Sequence, residues 1–344
     1  MQFGKTGRDV NIELFRVVLM FGICLLHSVS HSGNQMPWMS NGLKWCVDGF
    51  AFVSGWYGVR FAPSKVIRFL GMVIASSVLS VAIGVGIGAW NIFERGFFVE
   101  AYKMIVGHWY VSAYVMLMLI APLINVALDR VDIKNLPQLL MPLLVLLFWS
   151  WTRGLPVLVT IFPNASGLGD YTCMSLTGVY VFARVLRRIE WFARVGIVHI
   201  ICVGSICLSV CILGYGGYAS FCAMMVAAYS FAAFKRMHIS GRLARFAMTV
   251  APSMFPVLLL SQKAGWTKAF YAQLNLHLIE VSSIGKILYC FCFAMTCFSF
   301  CLFLDMPRRL MTYAIRGEIA SLSKCIDDAY VGFCNRFGDL LGRK

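Results

Sequence analysis

Asn11-Ile-Glu-Leu-Phe-Arg16-Val-Val-Leu-Met-Phe-Gly-Ile-Cys-Leu-Leu-His27-Ser-Val-Ser-His31 reads as one apolar helix of 21 residues. At 1.5 Å per residue it reaches about 30 Å, the thickness of a bilayer's hydrocarbon core. It is too long for the ~7–15-residue apolar region of a secretory signal and has no small-residue cleavage site, so it is expected to be a first membrane span. Its exceptions to apolarity are Glu13, Arg16 and His27. A charge at mid-bilayer costs at least ~2.5–3.5 kcal/mol on insertion scales, so each asks for a partner or a function.

The rest of the chain has the same character. Its 344 residues are 60% hydrophobic and 13% charged, with a mean hydropathy of +0.77. A soluble domain needs roughly 25% charged residues to face water. Apolar runs at about 12–31, 45–60, 66–90, 107–128, 136–153, 170–187, 193–214, 218–234, 248–262 and 285–304 predict an all-α bundle of about ten transmembrane helices. The Pro- and Gly-rich stretch from Arg153 to Gly169 reads as a loop or a partly inserted segment. We expect a membrane domain over 1–305 and a basic cytoplasmic tail over 306–344. The tail mixes Arg308, Arg309, Arg316, Lys324 and Arg336 with apolar residues, as interfacial helices do.

The net charge of +15 suggests nucleic acid until its placement is considered. With the N-terminus in the cytoplasm, 23 of the 30 Lys and Arg fall in cytoplasmic segments and 7 in outer loops. That split obeys the positive-inside rule and predicts cytoplasmic termini in a multi-pass protein of the cell (cytoplasmic, inner) membrane, with lipid rather than nucleic acid as partner. The thirteen cysteines lie mostly inside apolar runs without CxxC or Cys/His spacing, so they read as small hydrophobes and predict no metal site.

Arg16 and His27 are eleven residues apart, three helical turns plus about 20°, so they share one face about 16 Å apart along the axis. Glu13 stands at i,i+3 from Arg16, the spacing of a helical ion pair. The second span holds Asp48, a carboxylate that calls for a cation, followed by Phe50-Ala-Phe-Val-Ser54-Gly55-Trp56-Tyr57. Ser54-Gly55 suits close helix approach. The fourth opens on His108-Trp109-Tyr110, which reads as an interfacial aromatic belt or as a sugar-binding face, and closes on Pro122-Leu123.

Together, Arg16-x10-His27, the run ending at Trp56 and the Trp109-aromatic start with its Pro122-Leu123 finish resemble the membrane-bound acyltransferase family 3, over roughly residues 8–305. The resemblance implies transfer of an acyl group, most often acetyl, from cytoplasmic acyl-CoA to a sugar hydroxyl of a surface polysaccharide, lipopolysaccharide or exported glycan. It implies His27 as catalytic histidine, Arg16 as its partner toward the donor, and Arg68 as the donor-side basic residue after the second span. Asp48, Ser54, Trp56, His108 and Trp109 are expected to bind substrate. Acyl-CoA is then a co-substrate, a carbohydrate or glycolipid the acceptor, and no cofactor is bound. Two departures stand out: Arg68 is followed by Phe-Leu-Gly-Met where many members have Arg-x-x-Pro, and Ser261-Gln262 stands where many place a late histidine. The basic loops at 184–194 and 235–245 are further candidates for the CoA phosphates.

A polytopic glycan transporter, flippase or polymerase without acyl transfer is the alternative, and a non-enzymatic subunit whose tail binds a partner is a third. Transporters favour Gly- or Pro-broken spans at matching positions of two halves, a pairing this sequence lacks.

Overall fold

Helix α1, Val10–His31, is the axis of the molecule. The computed structural model describes residues 9–142 apart from 32, 34, 90, 95–96, 100–101, 103–107, 137 and 139–140, and residues 173–342 apart from 216, 218–219 and 263–265. The segment 143–172, with most of the expected fifth span and the Arg153–Gly169 stretch, lies outside the described residues. Asp9 begins α1 by accepting the Asn11 amide at 3.1 Å through its side chain.

The helices that follow are α2 (Pro37–Leu43), α3 (Trp45–Tyr57), α4 (Pro63–Gly86), α5 (Trp109–Arg130), α6 (Cys173–Arg188), α7 (Trp191–Arg194), α8 (Ile197–Val210), α9 (Phe221–Arg236), α10 (Gly241–Val250), α11 (Met254–Ser261), α12 (Thr267–Ile279), α13 (Ser283–Leu304), α14 (Met306–Ala314) and α15 (Arg316–Gly342). Among the described residues there is no β-strand. Helix boundaries follow local chemistry. Pro37 and Pro63 stand in the first turns of α2 and α4, where no backbone N–H is missed. Ser220 and Ser282 cap α9 and α13 by accepting the amides of Ala223 and Gly285. Gly58, at φ +77°, closes α3 by donating its N–H to the Ser54 carbonyl.

Six helices among the described residues are long and apolar enough to cross a membrane: Val10–His31, Pro63–Gly86, Trp109–Arg130, Ile197–Gly214, Gly241–Ser261 and Ser283–Ala314. The first is 78% buried over its apolar window, whereas Ile197–Gly214 is 17% buried and Pro63–Gly86 28%. Water does not tolerate long apolar faces turned outward, so these outer helices have the pattern of a multi-pass membrane bundle. Helices α3, α6 and α9 have 13, 16 and 16 residues, below the ~20 of a full span; α3 packs against α1, α6 and α9, and α9 also against α1. The candidate span Gly241–Ser261, which holds nearly all of the expected 248–262, consists of α10 and α11 joined by a short 3₁₀ turn at Ala251–Ser253, where Pro252 stands.

Around α1 stand α2, α3, α9, α10, α11 and α13. The crossing of α3 with α6 is the most extensive outside α1, and it depends on a missing side chain. A Cβ at Gly55 would lie 2.4 Å from the Tyr180 carbonyl oxygen, so only glycine permits the two backbones to approach this closely. Phe15, Phe52, Tyr180 and Phe231 are fully buried in the main core around this crossing.

Basic side chains collect at one end of the bundle. Arg187 donates to the Trp56 carbonyl at 2.6 Å, and Arg188 to the Leu128 carbonyl, both near the C-terminal ends of α3 and α5. Lys235 lies 4.9 Å over the Trp56 ring. Asn11 at the start of α1 donates to the Met237 carbonyl at 2.6 Å just beyond α9. The beginning of α1 and the ends of α3, α5, α6 and α9 therefore share this face.

Candidate active site

A cavity of about 670 Å³ runs through the bundle between α1, α3, α4, α5 and α11. On α1 its wall is Arg16, Met20, Ile23, Leu26, His27, Ser30 and His31, a single stripe at helical spacing. From Arg16 to His31 this stripe extends about 22 Å at 1.5 Å per residue. The expected pairing of Arg16 and His27 on one face is therefore realised as two stations along one channel.

The lower station is basic. Arg16 shares it with Arg60 and Lys65, both exposed, from the segment joining α3 to α4. Arg16 also pairs with buried Glu13 at 3.3 Å, the i,i+3 contact its spacing predicts. Among the described residues, no carboxylate lies within ion-pair distance of Arg60 or Lys65. That segment is pinned at its α3 end. The Val59 amide donates to the Tyr180 hydroxyl at 2.9 Å, this hydroxyl donates to Asn125 Oδ1 at 2.8 Å, and Asn125 Nδ2 donates to the Val59 carbonyl at 3.0 Å.

The upper station gathers imidazole, hydroxyl and amide groups. His27 Nδ1 lies 3.3 Å from Ser261 Oγ at the end of α11. Ser261 Oγ also lies 3.3 Å from the Leu258 carbonyl, and with its proton donated there it accepts from His27 Nδ1–H. In the tautomer that donates from Nδ1 to Ser261, His27 Nε2 carries the lone pair and is the base. The Ser261 carbonyl accepts from the Tyr271 hydroxyl at 2.6 Å, and buried Tyr271 meets the edge of His31 at 5.3 Å between ring centroids. His31 stacks on His27 at 5.2 Å. Next to Ser261, Gln262 lines the cavity, and its Oε1 meets Nδ1 of buried His108. With that carbonyl occupied, the Gln262 amide NH₂ remains a donor. Trp109, Tyr110 and Tyr114 form the aromatic wall beside it.

Among the residues expected from sequence, Arg16, His27, Ser54 and Trp109 line this one cavity. Ser54 donates to its own helix at the Phe50 carbonyl, 3.0 Å away. His108 stands behind the wall and holds Gln262. Trp56 is outside the cavity, buried among Phe52, Phe231 and Lys235. Asp48 is 3% exposed and also outside the wall. Arg68 is outside it too, with its Nε donating to the Ser64 carbonyl at 3.3 Å. Arg184, Arg187 and Arg188 are engaged with Asp129 and with the helix ends described above.

The structure adds Arg60, Lys65, His31, Ser261 and Gln262. The two cations are visible in sequence as part of the charge cluster after α3, and Ser261-Gln262 as a departure from the pattern of the family the sequence resembles. His31 shares the α1 stripe four residues beyond His27. Comparison with family models, with curated proteins and with solved structures finds no match.

Proposed function

We propose that the chain is a membrane-embedded O-acyltransferase that moves an acyl group, acetyl in the simplest case, from cytoplasmic acyl-CoA to a hydroxyl of a sugar in a surface or exported glycan. The observation that carries the reading is the single cavity joining a basic mouth at Arg16, Arg60 and Lys65 to His27 about 16 Å deeper. A pantetheine arm has comparable reach. The CoA phosphates would rest among the cations while the thioester meets the histidine.

In this reading the sugar hydroxyl enters at the His31, Gln262 and Trp109 end. Its oxygen attacks the thioester carbonyl carbon as His27 Nε2 takes its proton. The Gln262 NH₂ is a donor for the carbonyl oxygen as it becomes an oxyanion. The C–S bond then breaks, the acyl group stays on the sugar oxygen, and the imidazolium returns the proton to the thiolate of CoA. Ser261, accepting from Nδ1–H, leaves Nε2 as the nitrogen that takes up and returns the proton.

The same reading sets the basic end of the bundle in the cytoplasm, with both termini there and about ten spans in the inner membrane. The clustering of α1's start with the basic ends of α3, α5, α6 and α9 supports this orientation. Purified protein in nanodiscs, given acetyl-CoA labelled in the acetyl group and a cell-envelope glycan fraction, tests the reaction. Label in alkali-labile esters of the glycan is expected. Label that stays on CoA would leave the transporter or polymerase reading in its place.

A further inference from the structure

We propose that the C-terminal helix α15 is part of the donor mouth, and that Asp327 is a positioning residue that holds Arg60 and Lys65 in place. This role rests on the acyl-CoA reading of the cavity.

A helix begins with amide groups that lack intrahelical partners, and a side chain at the N-cap ordinarily accepts from one of them. At the start of α4 the N-cap is Ala62, which has no such group. The acceptor comes instead from 263 residues away. The Ser64 amide donates to Asp327 Oδ1 at 3.0 Å, and the Ser64 hydroxyl donates to Asp327 Oδ2 at 2.7 Å. Ser64 is 2% exposed beneath this contact. A carboxylate also complements the positive end of the helix dipole. Phe61 meets the Tyr330 ring edge-on at 5.6 Å, one turn further along α15.

The segment from Gly58 to Lys65 is therefore fixed at both ends. Tyr180 and Asn125 hold Val59, and Asp327 holds Ser64. Between and beside these anchors stand the two cations of the mouth, with Lys65 Nζ donating to the Arg60 carbonyl at 3.4 Å. A serine or aspartate at position 62 would cap α4 just as well, but it would leave the tail unconnected. With the cap on α15, the geometry of the mouth depends on whether the tail is docked.

The hydroxyl and amide of Ser64 hold the Asp327 carboxyl below the ordinary carboxylate range, helped by Arg68 and Lys65. A lowered value means the contact is complete above the ordinary carboxylate pKa and is released only on acidification through the lowered one. At neutral pH it is made.

The test compares full-length parent, Asp327→Ala, Asp327→Asn and the neighbouring Asp328→Ala in nanodiscs, by amide hydrogen exchange and by calorimetric titration with CoA. Asp327→Ala is expected to speed exchange of peptides containing Ser64 and to weaken CoA binding about two- to thirtyfold, the range of one lost cap. Asp327→Asn keeps an acceptor and should restore most of both, while Asp328→Ala should match the parent. Unchanged exchange in Asp327→Ala would overturn the docking contact. Faster exchange with parental CoA affinity would overturn the positioning role. A parent that binds no CoA would overturn the donor reading and this role with it, and the exchange data would still decide whether Asp327 holds α4.

Discussion

Nδ1 of His27 and Oγ of Ser261 lie 3.3 Å apart although 234 residues separate them in the chain. The contact joins the last third of the central helix to the end of α11, and in the Nδ1–H tautomer it leaves Nε2 as the basic nitrogen. Ser261→Ala removes the acceptor for Nδ1–H without touching the cavity's charges. One such hydrogen bond is worth ~0.5–1.5 kcal/mol, so kcat should fall about two- to tenfold. KM for acetyl-CoA should hold, and Ser261→Thr should recover part of the rate. Steady-state kinetics on the three proteins check this, and an unchanged kcat in Ser261→Ala would remove the tautomer argument.

Arg60→Ala and Lys65→Ala should act on the other kinetic parameter. Each removes a cation from the mouth and none from the catalytic station. Hydrogen bonds to charged groups contribute ~1.5–3 kcal/mol, so each variant should raise KM for acetyl-CoA roughly tenfold or more with kcat nearly intact. Raising the salt concentration should narrow the difference, because exposed charges are screened. Parental KM in both variants would place the phosphates elsewhere.

Arg187→Ala should behave differently despite its equally basic surroundings. Its guanidinium satisfies the Trp56 carbonyl at the end of α3. Removing it takes away a hydrogen bond to a charged donor, worth ~1.5–3 kcal/mol, so the melting temperature should drop while KM for acetyl-CoA stays put. Thermal unfolding in detergent followed by kinetics on the folded fraction separates these outcomes.

Gly55→Ala tests the packing that supports the site. The added methyl would meet the Tyr180 backbone oxygen at 2.4 Å, and backbone yields less readily than a side-chain tip. Overpacking of this kind costs ~1–3 kcal/mol. A clear loss of thermal stability is expected. The parental melting temperature would mean that α3 and α6 separate without penalty.

Helices, their apolar character and the Arg16–His27 stripe are legible in the sequence because each is local. A run of apolar residues states its own length, and eleven residues at 100° each return to one face. Rotation of the neighbouring helices is not local. Ser54 and Trp56 are two positions apart, so they stand about 160° apart around α3, and the closeness demanded by Gly55 toward Tyr180 decides which of them meets the cavity. It turns Ser54 to the wall and leaves Trp56 in the core. Arg68 and Lys65 likewise share a charge cluster, and only the placement of α4 shows that Lys65 reaches the mouth. The Ser261 and Asp327 contacts join residues more than 230 positions from their partners, and no local pattern announces them.

The central claim is that His27 removes the proton from the acceptor hydroxyl, and His27→Ala tests it most directly. The variant should insert in the membrane at parental abundance and bind CoA, since Arg16, Arg60 and Lys65 are untouched. Transfer of labelled acetyl from acetyl-CoA to glycan should fall about 10²–10⁴-fold, the usual contribution of a general base. Transfer within about threefold of the parent, from protein shown to be present in the membrane, would contradict the account and leave His27 a polar packing residue beside Ser261.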